Sequence, residues 1–471
     1  MKTILIIGAG FSGVAVAVQL LRRRHPGPLR VVLVNGGERI ARGMAYGTHS
    51  PDHTLNVPAG NMSALEDDAE HFLRFARAVD KGIDSGSFVS RQLYGDYLEW
   101  LLERAEQDAS EQLDLQRVFR NVASLRAAPD GAGLVARLDD GDTIAADQVV
   151  LALGHFPSHP LPLPGDAVLD NERYLRDPWD AARVARIPAD QPVLLLGTGL
   201  TMADMATTLL THHPGRPIVA VSRRGLVPRP HRHGSHRPGA GGARAIWGDA
   251  STVREQLRAF RHYSRALAAQ GMDWRDAMAL LRPVTADIWQ GYTDRERKRF
   301  LRHVQPYWDA HRHRLAPALH QRLAEAVASG AVRTFAARVI ECEAGGSGVH
   351  VTLRRRGAAH TEALRVGAII NCTGPCADPR HTGNPLVEQL LRDGLMRTDR
   401  LGLGLEVAGD GALIDRDGRA SDALFYIGPW LKATYWEATA VPDLRRFALA
   451  LARRLGDSSE PGVAGATSAA S

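Results

Sequence analysis

The reading of one stretch decides the fold: Lys2–Asn35, KTILIIGAGFSGVAVAVQLLRRRHPGPLRVVLVN. Thr3–Ile7 is a short run of β-branched and leucine residues, the composition of a strand buried on both faces. It runs into Gly8-Ala9-Gly10-Phe11-Ser12-Gly13, and an apolar helical pattern follows over Val14–Leu21. After the turn at His25-Pro26-Gly27-Pro28, Leu29–Val34 reads as a second buried strand, completing a β-α-β unit. In that setting the glycine spacing is a dinucleotide signature. Gly8 permits the tight turn, Gly10 lets a pyrophosphate approach the backbone, and Gly13 lets the helix pack on the strand. The first helical residues, Phe11 and Ser12, present N–H groups at the positive end of the helix dipole. A signal peptide is the competing reading of this apolar stretch. No small-residue cleavage site follows it, and a strand comes at once. The end of the second strand ordinarily offers an acid to the ribose hydroxyls; here it is Asn35, with Glu38 three residues on. Those two are the candidates for that contact.

A second signature lies further along. Pro192–Leu196 runs into Gly197-Thr198-Gly199-Leu200-Thr201-Met202-Ala203, a G-x-G-x-x-A turn followed by a helical pattern to Leu210. The next strand, Pro217–Val221, ends in Ser222-Arg223-Arg224. Guanidinium forks at this strand end suit a ribose 2′-phosphate, where an unphosphorylated ribose favours an acid. This unit is therefore read as an NADPH site, with Gly197, Gly199, Leu200, Thr201, Ser222, Arg223 and Arg224 as its contacts.

The chain has 471 residues, 44% hydrophobic and 23% charged, ordinary for a soluble globular protein of two or more domains. Cys342, Cys372 and Cys376 do not make a disulfide framework, which suits a reducing cytoplasm. No apolar run reaches membrane-spanning length. The net charge of +6 is scattered, without an aromatic-interleaved basic module. Arginines facing a phosphorylated cofactor and an anionic substrate account for it better than nucleic acid does.

Loops are expected at Arg39–Gly47 and Leu55–Gly60, helices at Glu66–Ala78 and Arg91–Gln107. Asp147–Leu153 reads as a buried strand ending at Gly154, and Ala368–Thr373, ending at Gly374, echoes it. Leu424–Ile427 ends likewise at Gly428. Leu226–Gly242 is rich in Pro, Gly, His and Arg, and is expected as a mobile loop at an entrance. Its histidines, His231, His233 and His236, have no Cys or acid beside them, so no metal site is expected. Ala243–Ala328 reads as helical, with Trp274, Trp289 and Trp308 as packing anchors. The fold class is α/β with two Rossmann-like dinucleotide-binding domains, the first discontinuous, and a helical insertion. The expected boundaries are 1–160 and 331–455 for the first domain and 161–242 for the NADPH domain. The insertion spans 243–330, and 456–471 is expected as a disordered tail.

GAGFSG at Gly8, ARGMAYG at Ala41, LNVPAGNMSA at Leu55, LYGDYL at Leu93, LLLGTGLTMAD at Leu194, HRHRLAP at His311, INCTGP at Ile370 and WEATAVPDLR at Trp436 carry a resemblance from end to end. The chain resembles the two-dinucleotide-binding-domain flavoproteins and, more narrowly, the bacterial FAD/NAD(P)-binding protein family. The resemblance implies a FAD-dependent, NAD(P)H-using monooxygenase of the urate-hydroxylase or amine N-hydroxylase type. It implies that Gly8, Gly10, Gly13, Arg42 and Tyr46 contact FAD. Asn56 and Val57 would lie near the flavin ring, and Gly428 near its ribityl chain and phosphate; Gly154 and Gly374 close the cofactor sites at their strand ends. No protein nucleophile motif is present, so the protein is expected to position substrate and oxygen around the cofactors. His53, Arg312, His313 and Lys432 are the candidate anion clamps and base. Urate is the leading substrate, an amino acid or amine the alternative, and a flavin reductase or dehydrogenase without oxygen insertion the rival class. A dithiol reductase is disfavoured, because Cys372 and Cys376 do not form C-x-x-C.

Overall fold

Each glycine turn seeds its own parallel sheet. The structure, a computed structural model, describes residues 1–48, 50–129, 131, 133–164, 171–232, 244–247, 250–346 and 348–457. In the first unit β1 (Lys2–Ile7), α1 (Phe11–Leu21) and β2 (Leu29–Val34) are followed by α2 (Arg91–Gln107), β3 (Leu113–Val118) and β4 (Gln148–Leu151). β1 lies between β2 and β4, β3 extends the sheet beyond β2, and Ala420–Tyr426 runs parallel beside β4. Every residue of α1 is buried, enclosed by the sheet, α2 and the last helix, Val441–Gly456. A helix apolar all round can sit only in such a place.

The second unit repeats the plan with β5 (Val193–Leu196), α3 (Leu200–His212), β6 (Ile218–Ser222), α4 (Pro317–Ala328), β7 (Val332–Gly345) and β8 (Ala368–Asn371). β5 lies between β6 and β8, and β7 pairs parallel with β6 from Ile218↔Val332 to Ser222↔Ala336. Beyond that register β7 continues into an antiparallel pair with Gly348–Arg355, which in turn pairs with Thr361–Val366. The expected boundary at 331 is therefore corrected. Strand pairing puts Val332–Asn371 in the second sheet, and Leu319 and Leu323 of α4 share a core with Met202 and Ala206. The chain is back on the first unit at the helix Pro385–Asp393, where the Gln389 side chain exchanges hydrogen bonds of 2.9 and 3.0 Å with the Leu125 backbone.

The two turns are built alike. Gly8 has φ +104° and donates its N–H to Val34 O at 2.9 Å, while Ala152 donates to Ile7 O at 2.8 Å. Gly197 has φ +114° and donates to Val221 O at 2.8 Å, while Cys372 donates to Leu196 O at 2.8 Å. A β-carbon on either glycine would stand 2.3 Å from the carbonyl oxygen of Ala152 or of Cys372. Only glycine is accommodated.

The helices between the second unit's β6 and α4 include Val253–Ala269, Trp274–Leu281, Thr285–Gly291, Asp294–His303 and Gln305–Arg312. Trp289 anchors them to the first unit: its indole stacks on Trp436 at 4.7 Å and donates to Ala433 O at 2.8 Å. Residues 233–243 fall outside the described residues, and with them His233, His236 and most of the expected entrance loop, as does the tail from 458. Among the described residues no cluster of His, Cys, Asp or Glu could hold a metal, and no helix is long and apolar enough to cross a membrane. All three cysteines are buried and unpaired.

Candidate active site

Two loops of the first unit, the start of α3 and the inner faces of the inserted helices enclose a cavity of about 1010 Å³. Tyr46, Asn56 and Val57 line it from the first unit, Leu200, Thr201 and Asp204 from the second, and Arg312, His313 and Arg314 from the insertion's edge. His155, Gly374 and Lys432 complete the wall, just beyond the strand ends where Gly154 has φ +70° and Gly374 φ +94°.

Both helix starts at these turns fit an anionic diphosphate. α1 is capped by the extended backbone of Gly10 and α3 by that of Gly199; neither has a capping side chain or an acid in its first turn. Their first N–H groups therefore lack intrahelical acceptors and present positive ends. A β-carbon on Gly199 would meet nothing within 4 Å, and one on Gly10 only the Gly43 Cα at 3.6 Å. The space above each turn is open where a cofactor needs it.

Residues 5–156 match the FAD-NAD(P)-binding family model. An Aspergillus oryzae nitrosuccinic acid synthase is 31% identical over 146 residues, 29% of this chain. The match spans only 22% of that relative's length. Among solved structures, L-lysine 6-monooxygenase from Pseudomonas syringae superposes with TM-score 0.65 at 15% identity, covering 96% of this chain and 98% of that one. The ornithine N-hydroxylase of Kutzneria sp. 744 gives TM-score 0.64 at 16% identity over 96% and 98% of the two chains. The chain shares the fold of these two structures over nearly its whole length. Its residues 5–156 are similar to the FAD-NAD(P)-binding model.

Several predicted contacts turn out to shape the site from within. Asn35 accepts from the Ala9 N–H at 3.4 Å and gives both amide hydrogens to Gly37 O and Arg39 O, at 2.9 and 3.0 Å. Its amide braces the glycine turn and has no hydrogen left for a ribose, while Glu38 stands exposed at the rim. Arg42 is buried against α2, where Glu99 takes two bonds of 2.7 Å and Asp96 a third. These carboxylates hold its guanidinium charged. Gly95 leaves the room: a β-carbon there would lie 2.6 Å from Arg42 Nη1. The LYGDYL motif is the socket for ARGMAYG. Tyr46 does face the cavity, its ring tilted against Tyr94 at 4.6 Å. Gly428 (φ +147°) lies under the Tyr426 hydroxyl and off the cavity wall.

In the second unit Ser222 Oγ bonds Thr198 Oγ1 and the Gly225 N–H, both at 2.9 Å, and so fixes the strand end. Arg224 donates to Arg302 O at 2.8 Å and lies over the Tyr307 ring. Arg223 stands exposed.

Of the four candidate catalytic residues, three are together. Arg312 forms a bidentate pair with Glu437 at 2.7 and 2.8 Å, His313 sits beside it, and the Lys432 ammonium lies 4.4 Å over the Trp436 ring. Burial lowers the Lys432 pKa. His53 is apart, buried between the hydroxyls of Thr48 (2.6 Å) and Thr208 (2.8 Å), a link between the two units. The residue reading overlooked His155 and the role of His231. Burial pushes both down to about 4, aided by Lys432 and by Arg314 respectively. His231 Nε2 donates to Asn56 O at 3.0 Å, which leaves Nδ1 as the acceptor of a neutral imidazole. It had been visible only as one histidine of three in an irregular loop.

Proposed function

We propose that the chain is a FAD-dependent, NADPH-using monooxygenase that N-hydroxylates an amine. The observation that carries this reading is a cavity lined by both nucleotide-binding units, with Asn56 of the first on one wall and Thr201 of the second, at the start of α3, on the other. The ornithine N-hydroxylase and the L-lysine 6-monooxygenase of the same fold favour an amine over urate. In this reading the first unit holds FAD at Gly8–Gly13 and the second holds NADPH at Gly197–Ala203, with Arg223 at the 2′-phosphate.

Bound together, the two cofactors supply the electrons and the oxygen activation. The sum is amine plus oxygen plus NADPH plus a proton, giving hydroxylamine, water and NADP⁺. The chain's own residues do the rest. The uncapped starts of α1 and α3 bind diphosphates, Phe88, Phe156 and Trp436 shield the cavity from water, and His231 Nδ1 offers an uncharged hydrogen-bond acceptor to an N–H of the substrate. The test is product analysis with ¹⁸O₂ across a panel of amines, amino acids and urate. A hydroxylamine carrying one labelled oxygen, formed in step with NADPH oxidation, is expected. NADPH oxidation that yields only hydrogen peroxide with every compound would leave the reductase reading.

A further inference from the structure

We infer that Arg314 holds a carboxylate of the substrate, so that the amine taken at this site also carries an acid group. This rests on the monooxygenase reading and narrows it to a substrate class.

The cavity wall is rich in arginine, but its arginines are mostly neutralised in place. Around Arg314, Arg312 is paired with Glu437 at 2.7 Å, Arg275 with Asp273 at 2.9 Å, and Arg232 with Asp276. Arg314 forms no ion pair or hydrogen bond through its guanidinium among the described residues, and its Nε is buried with no acceptor. Burial first, then crowding by Arg312, Arg275 and Arg232, lowers its pKa to about 10, still charged at neutral pH; Asp273, paired with Arg275, opposes this only from a distance. A partly buried guanidinium without a carboxylate of its own is costly to hold, and its planar fork matches one. The other unmatched cation on the wall, Lys432, is turned onto the Trp436 ring.

The position is built rather than incidental. Leu315 N–H bonds Arg229 O at 3.0 Å and His231 N–H bonds Leu315 O at 2.9 Å, a short parallel bridge that locks Arg314 beside His231. Arg275 clamps the Pro230 carbonyl between them with bonds of 2.7 and 2.9 Å. His231 in turn packs tilted against Phe88 at 4.9 Å and is bonded to Asn56 O. A carboxylate on Arg314 therefore sits one imidazole away from the Asn56 loop, which fixes the reach of a small molecule between them.

An anion on Arg314 could instead be a cofactor phosphate, and the experiment separates the two. FAD-loaded protein is titrated calorimetrically with succinate, a carboxylate probe that cannot be N-oxygenated, with putrescine, an amine lacking a carboxylate, and with NADP⁺. Succinate is expected to bind more tightly than putrescine. Arg314→Ala should weaken succinate by about tenfold or more and leave NADP⁺ within about twofold. Arg314→Lys, which keeps the charge and loses the fork, should fall between, and it carries the test alone if the alanine variant does not fold. Unchanged succinate binding in both variants, tighter binding of putrescine than of succinate, or a parallel loss of NADP⁺ would each overturn the assignment. Failure to hydroxylate any amine, with succinate still held by Arg314, would instead sink the monooxygenase reading and leave the subsite standing.

Discussion

Arg91 and Asp204 meet across the two nucleotide-binding units, Nη2 to Oδ2 at 2.7 Å, with the aspartate side chain only 4% exposed. Arg91 begins α2 of the first unit and Asp204 lies in the first turns of α3 of the second. Arg91 also gives its Nε–H to Thr54 O at 3.2 Å, so the pair ties the Thr54 segment of the first unit to α3 of the second. Removing one member of a buried pair leaves an uncompensated charge, at about 3–5 kcal/mol. Arg91→Ala should lose stability of that order in urea unfolding, and Arg91→Ala with Asp204→Ala should recover part of it. An Arg91→Ala protein as stable as the parent would show that the pair contributes nothing.

The two glycines of the second turn should behave oppositely. Gly197→Ala drives a β-carbon into the Cys372 carbonyl at a φ that alanine avoids, so little folded protein is expected. Gly199→Ala meets no protein atom and has an ordinary φ of −86°. It should fold normally and raise the NADPH KM on the order of tenfold, because the new methyl occupies only cofactor space. Thermal unfolding and steady-state kinetics on the two variants check both halves.

Arg223 and Arg224 are adjacent but not equivalent. Arg224 is held by the Arg302 carbonyl and the Tyr307 ring, whereas Arg223 is exposed. Arg223→Ala should cut the preference for NADPH over NADH by about tenfold, the loss of one charge-assisted contact. Arg224→Ala should change that preference less and lower the melting temperature instead. Equal effects on both coenzymes from Arg223→Ala would place the 2′-phosphate elsewhere.

His155 and His231 give an acid limit to stability. Both are depressed from 6.5 to about 4 by burial, so below pH 6.5 the unfolded chain takes up protons that the folded chain refuses. Their contribution is complete above pH 6.5 and is lost as pH falls toward 4. Urea midpoints measured across that window should fall with pH, and His231→Gln should flatten the slope. A slope unchanged by His231→Gln would mean that this ring is already charged in the folded state.

Much of the fold was legible because it is written locally. The strand–glycine–helix order at Lys2–Leu21 and Val193–Leu210 requires only residue spacing, and the likeness of the strands before Gly154 and Gly374 is real: β4 and β8 flank β1 and β5 in the same way. What was not legible is non-local. Val332–Asn371 looks like any run of short strands, and only its register with β6 shows which sheet it joins. The site divides similarly. HRHRLAP and WEATAVPDLR stood out as motifs, but spacing could not reveal that Glu437 neutralises Arg312 and that Arg314, two residues on, is left over. Asn35 looked like a missing ribose acid, when its amide serves the turn.

The paired turns carry one more consequence. At Ala152 and at Cys372 it is the peptide oxygen that gauges the glycine, at the same 2.3 Å from a would-be methyl, so this requirement falls on the backbone and not on the side chain it carries. The specification is written in main-chain geometry, a script that residue-by-residue alignment does not read. A chain can thus keep 96% coverage with an ornithine N-hydroxylase while sharing 16% of its letters.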